Sequence, residues 1–297
     1  MTLLTTRPGE IGLLAADAIR SALIKATDQA NISTYIEGAS PLAWKSISDA
    51  GWDLVGIKED DESATLRDLV EIAKAWGEIT VQVPLIPSIM AKRHSATAAE
   101  HDGPVSFSIQ TQSLAAGHGL VPFGQISDLQ FLTELDGETG SLTSVDGLVL
   151  DDFAPSLLAA QASQITSFSA DAAREISVVW AAEGSGVAKR AVADAVAYAK
   201  QRKQFGKPIG SFQAVKHHLA NAHMNVEQAE TAAIWGSLDP ANAHRSAVHS
   251  LNLSIRAIEL SIQVHGGMGF TWEMGLHFYL RHTIALREMV TALGTHA

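Results

Sequence analysis

The sequence predicts a mainly α protein in three parts. These are an N-terminal helical domain over residues 1–102, a small central β domain over 103–165, and a C-terminal antiparallel four-helix bundle over 166–297. Apolar residues recur at steps of three to five in the N-terminal part, and at steps of three and four from Ser169 onward. Between these stretches the period shortens to alternating runs such as V-S-F-S-I, bounded by Gly and Asp. The last four helical patterns are long and joined by short connections, as in an antiparallel bundle.

In the N-terminal part, Ile11, Leu14, Ala18 and Leu23 fall on roughly one face of a first helix. Leu42 to Asp49 gives a short helix stopped at Ala50-Gly51. Trp52, Leu54, Val55 and Ile57 then form an apolar link, and Glu59 to Glu62 an acidic turn. Leu66 to Gly77 is an amphipathic helix with Leu66, Leu69, Val70, Ala73 and Trp76 on one side. V-P-L-I-P reads as a corner, because Pro84 and Pro87 both interrupt a regular element.

In the central part, Leu129, Phe131 and Leu135 share one face of a possible strand, and G-S-L-T-S-V-D-G-L-V-L adds two more short runs. The bundle begins with a helix from about Ala172 to Lys200. Phe212, Val215, Leu219, Ala222, Val226, Ala229 and Ala233 mark the second, which can start at Ser211. Asp239-Pro240 serves as N-cap and first helical residue of the third, lined by Val248, Leu251, Ile255, Ile258 and Ile262. Tyr279, Thr283, Leu286, Val290 and Leu293 mark the fourth.

Composition narrows the function. A chain of 297 residues with 46% hydrophobic and 18% charged residues is an ordinary globular protein with a real core. A net charge of −11 offers no basic excess for nucleic acid. With no cysteine there is no disulfide, thiolate metal site or Cys nucleophile. The start M-T-L-L-T-T-R-P-G-E is no basic-then-apolar leader and no apolar run approaches a membrane span, so a soluble cytoplasmic protein is expected. The twelve histidines, among them His94, His101, His217-His218, His244 with His249 and His277 with His282, are expected at the surface or in packing, with no metal.

One stretch stands apart. Residues 189–216 hold Lys189, Arg190, Lys200, Arg202, Lys203, Lys207 and Lys216 against Asp194 alone, a local charge of +6 in an acidic chain. Within it, Y-A-K-Q-R-K-Q-F-G-K-P-I-G-S-F-Q runs from a helix end through a turn punctuated by Gly206, Pro208 and Gly210. The pattern suits either a solvated charged face or a site for a flat anionic ligand, with Arg202 as a planar fork of donors. Gly184-Ser185-Gly186 lacks the third glycine and preceding strand of a dinucleotide fingerprint and reads as close helix packing.

R-K-Q-F-G between the first two bundle helices and Q-V-H-G-G-M-G-F at the end of the third resemble the acyl-CoA dehydrogenase family, supported by D-A-G-W-D-L-V-G-I near the N-terminus. The resemblance is strong over residues 180–288. It implies an acyl-CoA dehydrogenase-like fold and a flavoprotein that oxidises an acyl-CoA substrate across its α and β carbons, passing electrons to an electron-transfer acceptor. It also implies FAD at an interface between chains. Carried over by position, Arg202, Gln204, Phe205, Phe212 and Gln213 resemble contacts to the diphosphate and adenosine of FAD, and Gln263, Gly266 and Gly267 resemble a second strip. There, glycines let backbone N–H groups approach phosphate.

The family's catalytic glutamate has no counterpart on the last helix. Glu288 lies five residues early and on another face, and Gly294-Thr295 follow leucine. The alternative position of the base falls on Ile176, one residue from Glu175, while Glu183 reads as an ordinary helix residue. No T-E-P-x-x-G-S-D loop or tryptophan strand for the flavin ring occurs in residues 100–165. The resemblance therefore points to a shortened, non-catalytic-type subunit of a heteromeric bacterial enzyme. Its partner would be a longer acyl-CoA dehydrogenase homologue in an α2β2 assembly, of the kind associated with steroid breakdown. A self-sufficient dehydrogenase using Glu175 and a flavin-free helical scaffold are the alternatives.

Overall fold

The computed structural model describes residues 6–28, 30–36, 40–58, 63–135, 140–145 and 149–296; the acidic turn expected at Glu59 to Glu62 lies outside them. Nine helices and ten short strands are seen among the described residues, in the predicted order of helices, strands and helices.

Helix α1 (Glu10–Thr27) packs on α3 (Leu66–Gly77). Its buried stripe is Gly12, Ala16, Ile19, Leu23 and Thr27, whereas Ile11, Leu14 and Ala18 are exposed, contrary to the face expected from periodicity. Close approach is the reason: a Cβ at Gly12 would lie 2.7 Å from Asp68 Cα, so small residues had to face α3. Asp68 closes a capping box with Thr65 at the start of α3, and also accepts from the Gly9 amide.

After α2 (Trp44–Asp49), the proline pair does not make the expected corner. It opens α4 (Leu85–His94), with Pro84 as N-cap and Pro87 in the first turn, where a helical N–H has no intrahelical partner. The short α5 (Ala96–Ala99) follows.

The central strands form small separate sheets. In one, β1 (Val105–Phe107) pairs parallel with β3 (Gln130–Leu132), which pairs antiparallel with β5 (Leu142–Ser144). In another, β7 (Ala160–Ala162) runs antiparallel to both β2 (Gly119–Val121) and β6 (Val149–Leu150). A parallel pair joins β4 (Glu134–Leu135) to β8 (Ser167–Phe168). V-S-F-S-I does not alternate between core and solvent: all five residues are buried, with Ser88 Oγ bonded to the Val105 backbone, Thr166 Oγ1 accepting from the Ser108 amide and Ser108 Oγ donating to the Gln164 carbonyl, while Ser106 Oγ is buried without a hydrogen-bond partner among the described residues. β2, β7 and β8 are only two or three residues long, too short to show an alternating pattern.

The bundle comprises α6 (Ala170–Gln201), α7 (Gln213–Leu238), α8 (Ala243–His265) and α9 (Leu276–Leu293). Pro240 starts a separate 3-10 turn before α8, and Ser211 ends another before α7, where its hydroxyl donates to Pro208 O instead of capping the helix. Gly186 and Gly77 knit α6 to α3: a Cβ at Gly186 would sit 2.2 Å from Lys74 O, and one at Gly77 2.1 Å from Glu183 O. The expected packing role of Gly184-Ser185-Gly186 is therefore seen. One continuous buried cluster joins Trp76 of α3, Phe107 of β1, Trp180 of α6 and Leu286 of α9.

Candidate functional site

α6 ends at Gln201 because the Arg202 backbone turns extended, while its N–H still donates to Tyr198 O. The chain then folds back as a hairpin of β9 (Lys203–Gln204) and β10 (Lys207–Pro208). Phe205 at φ +52° and Gly206 at φ +78° form its two-residue turn, with both central residues left-handed. Phe205 is 91% exposed, and its ring meets Phe212 edge-on at 6.1 Å. Lys207 lies 4.5 Å over the Phe212 ring. Arg202 is exposed, and its guanidinium has no partner among the described residues.

At the other side, α8 ends at His265 and breaks at Gly266, whose φ of +60° favours glycine. A Cβ at Gly267 would meet nothing within 4 Å, so this glycine leaves backbone open on its outer side. The two ends meet in a pocket of about 430 Å³ lined by Arg202, Gln204, Gly266 and Gly267 from the two motifs, together with Tyr198, Ile209, Val264, His265 and Met268.

Of the eight residues singled out from the sequence, four therefore converge here. Phe205 and Phe212 pack on one another beside the hairpin, and Gln213 and Gln263 are exposed on α7 and α8 without lining the pocket. The aromatic wall was missed by residue-level reasoning: Tyr198 stacks on His265 at 4.3 Å, with ring planes 25° apart. His265 Nδ1–H donates to Ser261 O at 2.8 Å. Burial lowers the pKa of this ring, opposed by the Ser261 bond and by Asp194. The position of His265, immediately before Gly266-Gly267, was the available signal. An unpaired guanidinium, open glycine backbone and a flat aromatic wall fit a diphosphate joined to a planar base.

The carboxylates are placed differently. Glu175 Oε2 accepts from Arg93 Nε at 2.6 Å and from His94 Nε2 at 3.0 Å. Burial pushes its pKa up, but the His94 bond and the Arg93 charge outweigh it and bring the group down to about 2. His94 is thus buried and bonded, in packing and not at the surface. Glu183 is no ordinary helix residue either: it is buried and accepts from His282 Nε2 at 3.1 Å, while His282 Nδ1 meets Ser156 Oγ at 2.8 Å. This chain ties α6, α9 and the β segment together. Glu288 is exposed and pairs with Arg287.

No group of three or more metal-ligating side chains occurs among the described residues, and no helix there is long and apolar enough to cross a membrane.

Residues 177–289 match the family described as acyl-CoA dehydrogenase, C-terminal domain. The chain is similar to the acyl-CoA dehydrogenase FadE34 of Mycobacterium tuberculosis, with 46% identity over 112 residues, which is 35% of this chain and only 16% of that protein. Among solved structures, the ChsE4-ChsE5 complex from Mycobacterium tuberculosis matches with a TM-score of 0.71 at 17% identity, over 97% of this chain and 94% of that one. A variant of the steroid ACAD Tcur3481-Tcur3483 matches with a TM-score of 0.70 at 16% identity, over 97% and 95%. By sequence, residues 177–289 match the acyl-CoA dehydrogenase C-terminal domain, and nearly the whole chain shares the fold of those solved structures.

Proposed function

We propose that this chain is a subunit of a heteromeric FAD-dependent acyl-CoA dehydrogenase. It holds the adenosine-diphosphate end of FAD, and a longer homologous chain supplies the catalytic base and flavin-ring pocket. The observation that carries this is the convergence of Arg202, Gln204, Gly266 and Gly267 on one pocket, in a chain whose candidate base is already engaged.

Arg202 offers a charged fork for diphosphate, Gly266 and Gly267 offer approachable backbone, and the Tyr198–His265 stack offers a flat wall for the adenine side. Bound FAD supplies the hydride acceptor for α,β-desaturation of an acyl-CoA thioester. A base for the α proton works best with a pKa near the operating pH, and Glu175, held at about 2, is far from it. That leaves the base to the partner. The fold shared with ChsE4-ChsE5 and with the steroid ACAD Tcur3481-Tcur3483 supports a two-chain assembly and a bulky, steroid-derived acyl group.

Purification of the chain alone and co-expressed with the protein encoded beside it tests this reading. Flavin is expected to be retained by the complex and lost by the isolated chain, with acyl-CoA oxidation by the complex only. An isolated chain that binds one FAD and oxidises acyl-CoA would overturn the proposal.

A further inference from the structure

A second cavity, of about 650 Å³, lies where α4, α5 and the start of α6 meet; Lys58, Arg93, His94, Ser169, Ala170 and Asp171 are among its walls. It shares no residue with the pocket between Arg202 and Gly267, and the two lie at opposite ends of α6.

Two buried groups on its wall have unused capacity. His94 is 6% exposed and gives Nε2–H to Glu175, so in the uncharged ring the lone pair lies on Nδ1. Nδ1 has no partner among the described residues, yet is not among the sealed side-chain atoms of the interior. The Arg93 side chain, also 6% exposed, uses Nε for Glu175 and Nη1 for the Gly56 and Ala64 carbonyls, which leaves Nη2 free in the same way.

The surrounding charges leave a local preference for an anion. Glu175 is matched by Arg93, Asp171 by Arg174 at 2.6 Å, and Lys92 by Asp53 at 2.5 Å. Lys58 is half exposed and reaches Glu175 only at 3.7 Å, so its ammonium is largely uncommitted. Ser169 Oγ caps the Ala172 amide, and the amides of Ala170 and Asp171 open a 32-residue helix with no intrahelical acceptor.

We propose that this cavity is a binding site for monohydrogen phosphate. Its charged oxygens meet Arg93 Nη2, Lys58 and the first amides of α6, and its P–OH donates to His94 Nδ1. The one acceptor on the wall sets the selectivity: an oxyanion with no proton to give leaves Nδ1 opposed to a negative oxygen.

The test is NMR of the histidine nitrogens in the full ¹⁵N-labelled chain, titrated at about pH 8 with inorganic phosphate or sulfate, since phosphate keeps one P–OH there and sulfate has none. Phosphate is expected to move the His94 Nδ1 resonance saturably, and sulfate to bind about tenfold more weakly or less. Lys58→Ala, at a half-exposed side chain, is expected to raise the phosphate Kd about three- to tenfold with the spectrum of the fold unchanged. A His94 resonance that does not saturate, equal responses to phosphate and sulfate, or a Kd indifferent to Lys58→Ala would each overturn the proposal.

Discussion

Glu175 and Arg93 are joined side chain to side chain at 2.6 Å, across the contact between α6 and α4. His94 adds a second donor to the same carboxylate oxygen. This arrangement makes Glu175 a structural anchor. Its folded pKa of about 2 lies below the ordinary 4.5, so its contribution is complete above about pH 5 and is lost as pH falls towards 2. The shift corresponds to about 3 kcal/mol. Glu175→Gln should therefore cost about 2–3 kcal/mol in neutral denaturant titrations and flatten the acid limb of the stability profile. Acyl-CoA oxidation by the purified complex should change less than about twofold in kcat.

Phe205 occupies a left-handed turn position that glycine adopts freely and other side chains adopt at a cost of roughly 1–2 kcal/mol. Its ring is almost wholly exposed, so this chain recovers little of that cost by burial. Phe205→Gly should leave the isolated chain as stable or more stable, by up to about 1 kcal/mol in thermal melts. The same variant should lower flavin retention in the complex, a trade of stability against function.

Two glycines separate packing from binding. Gly186→Ala drives a methyl into Lys74 O at 2.2 Å and should cost about 3 kcal/mol or prevent folding, as read by denaturation. Gly267→Ala meets nothing within 4 Å and should leave the melt unchanged, yet lower flavin retention by filling the space above the backbone.

The long helices were legible because apolar positions at steps of three and four fix which face of α6 to α9 is buried, and the two motifs fell at the ends of α6 and α8. α1 was misread because its inner face uses Gly12 and Ala16, residues that hydropathy scores weakly but close packing requires. The buried bonds of Glu175 with Arg93 and of Glu183 with His282 span 82 and 99 residues, and no local pattern encodes such pairings. The hairpin placed Phe205 and Phe212 against each other, because a two-residue turn reverses the chain and presents both rings on one side.

Whether the corner after α6 holds the diphosphate end of FAD in a two-chain enzyme is decided by Arg202→Ala. Arg202 makes no side-chain contact that supports the fold among the described residues. The isolated variant should melt as the parent chain does, and the complex should lose about tenfold or more in FAD affinity, measured by flavin fluorescence on dilution. Unchanged FAD affinity in that complex would contradict the assignment.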